Sequence, residues 1–362
     1  MLKRRWFIIL AKILFKSLKV SKERIKMKKY LISENGNFYK ANLHCHSTFS
    51  DGKFTPEQIK KAYMDKGYSI VAFTDHNVFV PHPELNEEGF LALHGFESDV
   101  TEPPREEWPY RKTCHMCFIA YEPDNYLHPF WHRSKYLGKG AIDHRDEVKF
   151  DESKPDFERI YTAECISDMV RLGKEGGFFV TYNHPRWSLE TYAEYMNYEG
   201  IDAMEIYNHG CVVMGYHDYN SVVYDEMLRG GKRIYCLATD DNHTIDRDAF
   251  GGFVMIKAEK LEYKAVTDAI KRGDFYASTG PEIKSIWYDT ETQTLHVDCS
   301  EAKKVIFSTG IRRQGQVLGK PYTTQPEFKL NGNEIYVRVT VIDEEGRTAD
   351  TNAYFLDELN RI

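Results

Sequence analysis

Two short histidine-containing stretches, each directly after a strand-like run, constrain the fold of this chain most. Residues 42–52 read N-L-H-C-H-S-T-F-S-D-G, with His44 and His46 two residues apart. In an extended strand such residues project from the same face, and Asp51 follows after a short polar loop. Residues 74–77, T-D-H-N, follow the apolar run S-I-V-A-F. The pattern predicts two strands that aim imidazole and carboxylate groups at one place.

The same residue types recur at or near the ends of later apolar runs. The further candidates are Glu97, His115, His184, Asp241 and His243. Asp240 competes with Asp241, because it is one residue away in the run A-T-D-D-N-H. A single histidine at a strand end is usually structural, but a whole set of imidazoles and carboxylates is what a metal site needs.

The order of these motifs resembles that of the PHP (polymerase and histidinol phosphatase) metallohydrolases, in their trinuclear-metal branch. The resemblance covers about residues 38–279. It implies nine metal ligands: His44, His46, Asp51, His76, Glu97, His115, His184, Asp241 and His243. It implies three sets, namely His44, His46, Glu97 and Asp241; then Asp51, His76 and His243; then Glu97, His115 and His184.

This ligand set, with nitrogen and oxygen atoms and no thiolate, favours divalent transition metals such as Mn, Fe or Zn, with two or three per chain. Clustered ions supply hydroxide at neutral pH, so we predict hydrolysis of a small phosphomonoester or nucleotide through a metal-bound hydroxide. Asp241 and Arg186 are the predicted catalytic residues, with Arg186 clamping a phosphoryl oxygen. His209 is one candidate for the general acid, beside a metal-bound water and the histidines of a long insertion.

Two other functions stay open. One is a metal-dependent carboxylester or carbamate hydrolase of the CehA type, and a neutral carbonyl substrate of that kind would not need Arg186. The other is a non-catalytic PHP module. Such modules often lose ligands, whereas none is missing here.

The alternation of strands and helices predicts an α/β fold. Thr55 is a suitable N-cap and Pro56 a suitable first residue for a helix between the first two strands. Functional residues at strand ends predict a (β/α) barrel with its site at one face. The resemblance implies that residues 31–281 form a distorted (β/α)7 barrel.

From residue 282 the pattern changes to short alternating runs separated by turns such as Asn331-Gly332. This predicts a small all-β sandwich over residues 282–362. A similar appended sandwich occurs in the CehA/McbA-like branch of PHP proteins, which is the nearest branch by resemblance.

Residues 122–156 form a long, irregular, aromatic-rich insertion that includes His128, His132 and His144. Loops of this length inside a compact domain are usually lids or binding loops. We predict that it shapes substrate choice. The alternative is a loose surface insertion.

The formal net charge of -7 is unevenly distributed, because residues 1–30 carry +10 and the remainder carries -17. A body this acidic is a poor candidate for binding a nucleic-acid polymer, so we expect a small-molecule partner.

Residues 6–20 combine an apolar face with Lys12, Lys16 and Lys19, which predicts peripheral contact with a membrane surface. The alternative is a disordered or mis-assigned extension, with Met27 as the start.

The seven cysteines are scattered, and most lie inside apolar runs. Free buried thiols fit a reducing cytoplasm, so we predict a cytoplasmic protein with some association with a membrane surface. No small-residue cleavage site follows the N-terminal apolar segment, so a secretory signal is not supported, and secretion through a poor signal is the alternative. Cys114 and Cys117 form a C-x-x-C, but no second pair follows to make a zinc ribbon.

Overall fold

The computed structural model describes residues 28–104 and 110–359. The predicted basic, amphipathic segment at residues 6–20 and the alternative start at Met27 lie outside the described residues. Within the described ranges, no helix has the length and apolar character needed to cross a bilayer. All seven cysteines are free, and six of them are buried.

The candidate ligands lie in or after strands of the first three quarters of the chain. The described strands before residue 281 are β1 (Lys28–Tyr30), β2 (Asn37–Asn42), β3 (Ile70–Phe73), β4 (Leu91–Thr101), β5 (Thr113–Ala120), β6 (Leu127–His128), β7 (Lys149–Phe150), β8 (Phe178–Tyr182), β9 (Ala203–Asn208), β10 (Tyr235–Thr239), β11 (Phe253–Ala258) and β12 (Phe275–Ser278).

The remaining strands follow residue 281. They are β13 (Ile283–Asp289), β14 (Thr294–Cys299), β15 (Ala302–Thr309), β16 (Gly315–Thr323), β17 (Glu327–Lys329), β18 (Tyr336–Ile342), β19 (Thr348–Thr351) and β20 (Tyr354–Phe355). The helices are α1 (Pro56–Asp65), α2 (Ala163–Glu175), α3 (Tyr192–Tyr195), α4 (His209–Val213), α5 (Ser221–Arg229), α6 (Tyr263–Arg272) and α7 (Leu356–Leu359).

Helix α1 begins where the sequence predicts it. The Thr55 hydroxyl accepts a hydrogen bond from the backbone N–H of Gln58, and the Gln58 side chain accepts one from the N–H of Thr55. This capping box satisfies two N–H groups that the first turn leaves free, and Pro56 needs no such partner. The predicted N-cap and first residue are confirmed.

The main sheet runs in the order β10-β9-β8-β5-β4-β3-β2-β11-β12 and continues into the C-terminal strands. The pairs β2–β3, β3–β4, β8–β9 and β9–β10 are parallel, whereas β5 is antiparallel to both β4 and β8. Across the described ranges, no ladder pairs β10 with any strand other than β9. The predicted distorted (β/α)7 barrel is therefore confirmed only as a mixed α/β sheet with β5 antiparallel to its neighbours, and no ladder among the described residues closes it into a barrel.

The sheet is nevertheless strongly curved. One hydrophobic cluster collects inward side chains from nine strands, with one representative of each being Ala41, Ile70, Leu93, Ile119, Phe179, Ala203, Leu237, Val254 and Phe275. Helix α6 packs into the same cluster through Val266 and Ile270. Side chains of so many strands meet only if the sheet bends around them, so this part of the molecule is barrel-like.

The C-terminal strands are joined to this sheet, because β12 pairs with β19. A second sheet has the order β1-β13-β14-β17, and its apolar side chains share a cluster with those of β15, β18 and β19. Strand β1 thus links residues 28–30 to the C-terminal part of the chain. The boundaries at residues 30 and 281 and a separate sandwich domain stay predictions.

The insertion at residues 122–156 is packed against the rest of the chain. It contains the parallel pair β6–β7 and two short 3-10 turns. Trp131, Ala141 and Val148 form a hydrophobic cluster with Val78, which follows the T-D-H-N motif. The insertion therefore forms a wall beside the candidate site.

Candidate metal centre

Backbone hydrogen bonds join the segments that carry the candidate ligands. The N–H of His46 donates to the carbonyl of Asn242 (3.1 Å), and the N–H of Asp241 donates to the carbonyl of His44 (3.0 Å). The same kind of contact joins Asn77 to Glu97 (2.7 Å). Segments up to two hundred residues apart are thereby held at one edge of the sheet.

Two candidate ligands reach this edge from strand interiors. Glu97 lies within β4, which continues to Thr101, and His115 is near the beginning of β5. Because β5 runs antiparallel to β4, its first residues lie at the same edge as the carboxyl ends of the parallel strands. The antiparallel direction of β5 is thus what brings His115 to this edge.

Four side chains of the first predicted set meet closely. His44 Nε2 lies 3.1 Å from His46 Nε2, 3.3 Å from Glu97 Oε1 and 3.2 Å from Asp241 Oδ1. His46 Nε2 lies 3.0 Å from Asp241 Oδ1. Two imidazole nitrogens and two carboxylate oxygens therefore face one point.

A second group surrounds the other side of Glu97. His115 Nδ1 lies 3.2 Å and His184 Nε2 3.4 Å from Glu97 Oε1. His76 Nδ1 lies 3.1 Å from Glu97 Oε2. Glu97 consequently contacts imidazoles from every predicted set, which suits a bridging carboxylate.

The third group is centred on Asp51. Its Oδ1 lies 3.3 Å from His243 Nε2 and 3.8 Å from His76 Nε2. His46 Nδ1 also lies 3.8 Å from this oxygen. Grouped by distance, His46 joins Asp51, His76 and His243, and His76 joins Glu97 and His115, so these two histidines stand between predicted sets.

The two neighbouring aspartates have different surroundings. The Asp240 carboxylate accepts hydrogen bonds from the Tyr63 hydroxyl and from the backbone N–H groups of Phe250, Gly251 and Gly252. It has no capacity left for a further ligand role. Asp241 instead faces the imidazoles, so the distances favour it over its competitor.

Glu205 contacts His44, a ligand of the first predicted set, through the ring nitrogen that does not face the cluster. Its Oε1 lies 2.7 Å from His44 Nδ1 and accepts from the Thr239 hydroxyl at 2.6 Å, while its Oε2 accepts from the backbone N–H of His184 at 2.9 Å. With the proton of His44 on Nδ1, the ring donates to Glu205 and its Nε2 lone pair points at the cluster.

Several atoms of the cluster are buried without a hydrogen-bond partner among the described residues. They are Glu97 Oε2, His46 Nδ1 and His115 Nδ1. An unsatisfied buried carboxylate oxygen is costly, and native proteins rarely leave one without a function. The donor set and these unpaired atoms fit divalent metal ions.

The electrostatics agree with ligands that stay ionised. Burial alone would raise the pKa of Glu97, but the charges of His44, His115 and His76 hold it well below its usual range. Burial would likewise raise the pKa of Asp241, yet His44 and His46 hold it low. The cluster therefore holds two ionised carboxylates, Glu97 and Asp241, surrounded by imidazole rings.

The backbone is unusual at three of these positions. Asn77, His184 and Asp241 adopt positive φ angles of 62°, 27° and 51°. Such angles are uncommon for residues other than glycine and cluster at functional sites, where the surroundings enforce them. Here the cross-segment hydrogen bonds supply that constraint.

A cavity of about 510 Å³ lies over the cluster. Its lining includes His76, Glu97, His115, His184, Asp241 and His243, three cations (Lys53, Lys139, Arg247) and the apolar side chains of Trp187 and Met214. The three cations are residues that sequence reasoning missed. Their only signal was position, since Lys53 follows the first motif, Arg247 follows the last, and Lys139 lies in the insertion at residues 122–156.

The predicted catalytic residues outside the cluster are placed elsewhere. Arg186 is exposed, and the cavity lining does not include it. His209 is partly buried, with its Nδ1 3.0 Å from the Tyr207 hydroxyl, and only the next two residues reach the cavity. The insertion histidines are also absent from the lining, but Lys139 brings the insertion into the site.

Comparison with known proteins agrees with the motif order. A family model for the PHP domain matches residues 42–215. Over 41 residues the chain is 44% identical to the DNA polymerase/3'-5' exonuclease PolX of Bacillus subtilis (strain 168). That match covers 11% of this chain and only 7% of the relative.

Two solved structures are similar at low sequence identity. A two-domain protein from Bacteroides vulgatus ATCC 8482, containing a predicted PHP-like metal-dependent phosphoesterase, has 13% identity and a TM-score of 0.44, covering 90% of this chain and 98% of its own. An amidohydrolase from Chromobacterium violaceum has 16% identity and a TM-score of 0.35, covering 56% and 87%. Residues 42–215 are thus similar to the PHP domain, and this region carries seven of the nine candidate ligands, from His44 to His184, whereas Asp241 and His243 follow it.

Proposed function

We propose that this protein is a metal-dependent phosphoesterase that hydrolyses a small phosphomonoester or nucleotide. The observation that carries the proposal is Glu97, which is fully buried and surrounded by imidazole nitrogens, and one of its oxygens has no hydrogen-bond partner in the described part of the chain. A buried carboxylate so placed needs a cation to complete its surroundings. The PHP domain match over the same region supports this reading.

The proposed ligands are the nine residues of the predicted sets, with His46 and His76 able to serve either neighbouring group. Mn, Fe or Zn, at two or three ions per chain, suits these nitrogen and oxygen donors. When bound, such ions lower the pKa of a coordinated water molecule and polarise a phosphoryl oxygen.

The chain's own residues supply the orientation. Asn183 donates to Glu97 Oε1 at 2.9 Å, and Glu205 fixes the ring of His44. Lys53, Lys139 and Arg247 place three cations in a cavity lining that also holds four acidic residues, and these cations would attract a phosphoryl group. In this proposal they take the role predicted for Arg186.

A small substrate fits better than a polymer. The cavity volume of about 510 Å³ is in the usual range for a small-molecule site. Residues 31–362 carry a formal charge of -17, which opposes binding along a nucleic-acid backbone.

The test is elemental analysis and turnover on protein purified without chelator. We expect more than one transition-metal ion per chain and hydrolysis within a panel of phosphomonoesters, phosphodiesters and nucleotides with Mn(II), Fe(II) or Zn(II). Asp241→Asn should lower both. Turnover of aryl carbamates or esters alone would favour the carbonyl hydrolase, and bound metal without any turnover would favour a non-catalytic PHP module.

A further inference from the structure

The lining of the cavity is chemically uneven. Lys139 lies beside Asp51, with Nζ 2.7 Å from Asp51 Oδ2. Trp187 lies beside a different pair, with its ring centroid 5.1 Å from that of His115 and 5.0 Å from that of His184. A cation thus marks one part of the cluster and an aromatic ring another.

Lys139 is held in place although its side chain is 71% exposed. The next residue, Gly140, donates its N–H to the carbonyl of Ser50 at 2.8 Å, and a Cβ there would lie 2.5 Å from that oxygen. The His144 ring stacks on Phe49 with centroids 3.8 Å apart. These contacts fasten the insertion to the loop that carries Asp51.

The Lys139 ammonium has donors to spare. An ammonium group carries three N–H donors, and the contact with Asp51 uses one of them. The other two N–H donors are on an exposed side chain that lines the cavity. A phosphoryl oxygen above the cluster could accept from it without breaking the pair with Asp51.

Met214 extends the apolar part of the lining. Its side chain is 50% exposed and lines the cavity together with Trp187 and Cys211. Exposed apolar surface at the edge of a polar site is where binding grooves are found. An apolar group placed there would be favourably buried against this surface. A polyol would gain little from the same contact, because its hydroxyl groups are well solvated by water.

Resting on the proposed function, we propose that the substrate is a phosphomonoester of an aromatic alcohol, bound in one orientation. Its phosphoryl group contacts Lys139, and its ring lies against Trp187 and Met214. Charge complementarity sets the first contact and burial of apolar area the second. Lys139 is then a binding residue for the phosphoryl group that the insertion contributes to the site.

The experiment measures kcat/KM for phenyl phosphate and for glycerol 2-phosphate with Mn(II). Met214→Ala should lower the value for phenyl phosphate about tenfold and leave that for glycerol 2-phosphate within about twofold. Lys139→Ala should lower both values equally, by about a hundredfold, with Lys139→Arg recovering part of the loss. Metal content, measured in each variant, should not change.

Val222→Ala is the matched control, because Val222 is 64% exposed and is not part of the cavity lining. It should change neither value. Equal losses on both substrates in Met214→Ala, or unchanged kcat/KM in Lys139→Ala, would overturn the orientation while leaving the phosphoesterase intact. No phosphoester turnover by the unaltered protein would overturn the proposed function, and this inference with it.

Discussion

Two regions of the molecule bury charged side chains, and these side chains differ in how many hydrogen-bond partners the protein gives them. In the C-terminal strands Arg338 is 3% exposed and donates to both carboxylate oxygens of Asp225 at 2.8 and 2.9 Å and to Asp350 at 3.2 Å. In the candidate metal centre, the described residues donate one hydrogen bond to Glu97, from Asn183, and none to its Oε2.

The difference separates a structural network from a binding site. The guanidinium of Arg338 is matched by protein oxygens, so the network is complete within the chain and contributes to the fold. The carboxylates and imidazoles of the metal centre leave ligand atoms unmatched. Buried charge that the chain does not complete points to a cation from outside.

The largest expected effect comes from Glu97→Gln, which removes the charge shared by the groups of the centre. We expect loss of at least one metal ion per chain and a fall in turnover on the order of a thousandfold, since metal charge stabilisation is worth several kcal/mol. Elemental analysis and steady-state kinetics measure both. The exposed Glu199→Gln serves as control, and unchanged metal content in Glu97→Gln would contradict the proposed role.

Breaking the structural network should act on stability alone. Arg338→Met leaves Asp225 and Asp350 without their guanidinium, so the free energy of unfolding should fall by about 3–5 kcal/mol. Arg347→Met, at an ion pair whose arginine is 52% exposed, should cost less than about 1 kcal/mol. Denaturant titration measures the two. A loss of metal per folded Arg338→Met molecule would show that the two regions are coupled.

A smaller effect is expected from a change at Glu205, which contacts the candidate ligand His44. Glu205→Gln keeps the shape but weakens the acceptor for His44 Nδ1, so metal affinity should fall by about 10–100-fold with the fold retained. Competition with a chelator measures the dissociation constant. An affinity equal to that of the unaltered protein would mean that Glu205 belongs with the structural carboxylates.

The smallest effect should come from Arg186→Ala. Because Arg186 is exposed and outside the cavity lining, its loss should change kcat/KM by less than about twofold, as for most surface substitutions. The informative comparison is with Lys139→Ala under the same assay. A hundredfold loss in Arg186→Ala would restore the phosphoryl clamp predicted from the sequence.

Local patterns were enough to predict much of the centre. His44 and His46 directly follow β2, their two-residue spacing predicted that both project to one side, and the distances place both imidazoles at one point. Thr55 and Pro56 predicted the start of α1 for equally local reasons. In each case the relevant physics acts within a few residues, where sequence spacing is a direct measure of geometry.

Other features depended on contacts between distant segments. The choice between Asp240 and Asp241 was decided by Tyr63 and the N–H groups after residue 249, which occupy Asp240. The mixed strand directions of the sheet, and with them the position of His115, were decided by the direction of β5. Neither can be read from spacing, because an adjacent residue or a reversed strand has almost the same local pattern.

The sequence by itself determined which residue types stand at the ends and edges of the strands, and therefore that a metal centre is the natural reading of this chain. The tertiary structure decided which atoms meet: Glu97 between the imidazole groups, Glu205 behind His44, and Lys139 rather than Arg186 in the cavity. The physical reason is the distance along the chain over which each effect acts. Side-chain projection is set by the adjacent backbone, whereas partner choice depends on hydrogen bonds and packing between segments far apart in the chain.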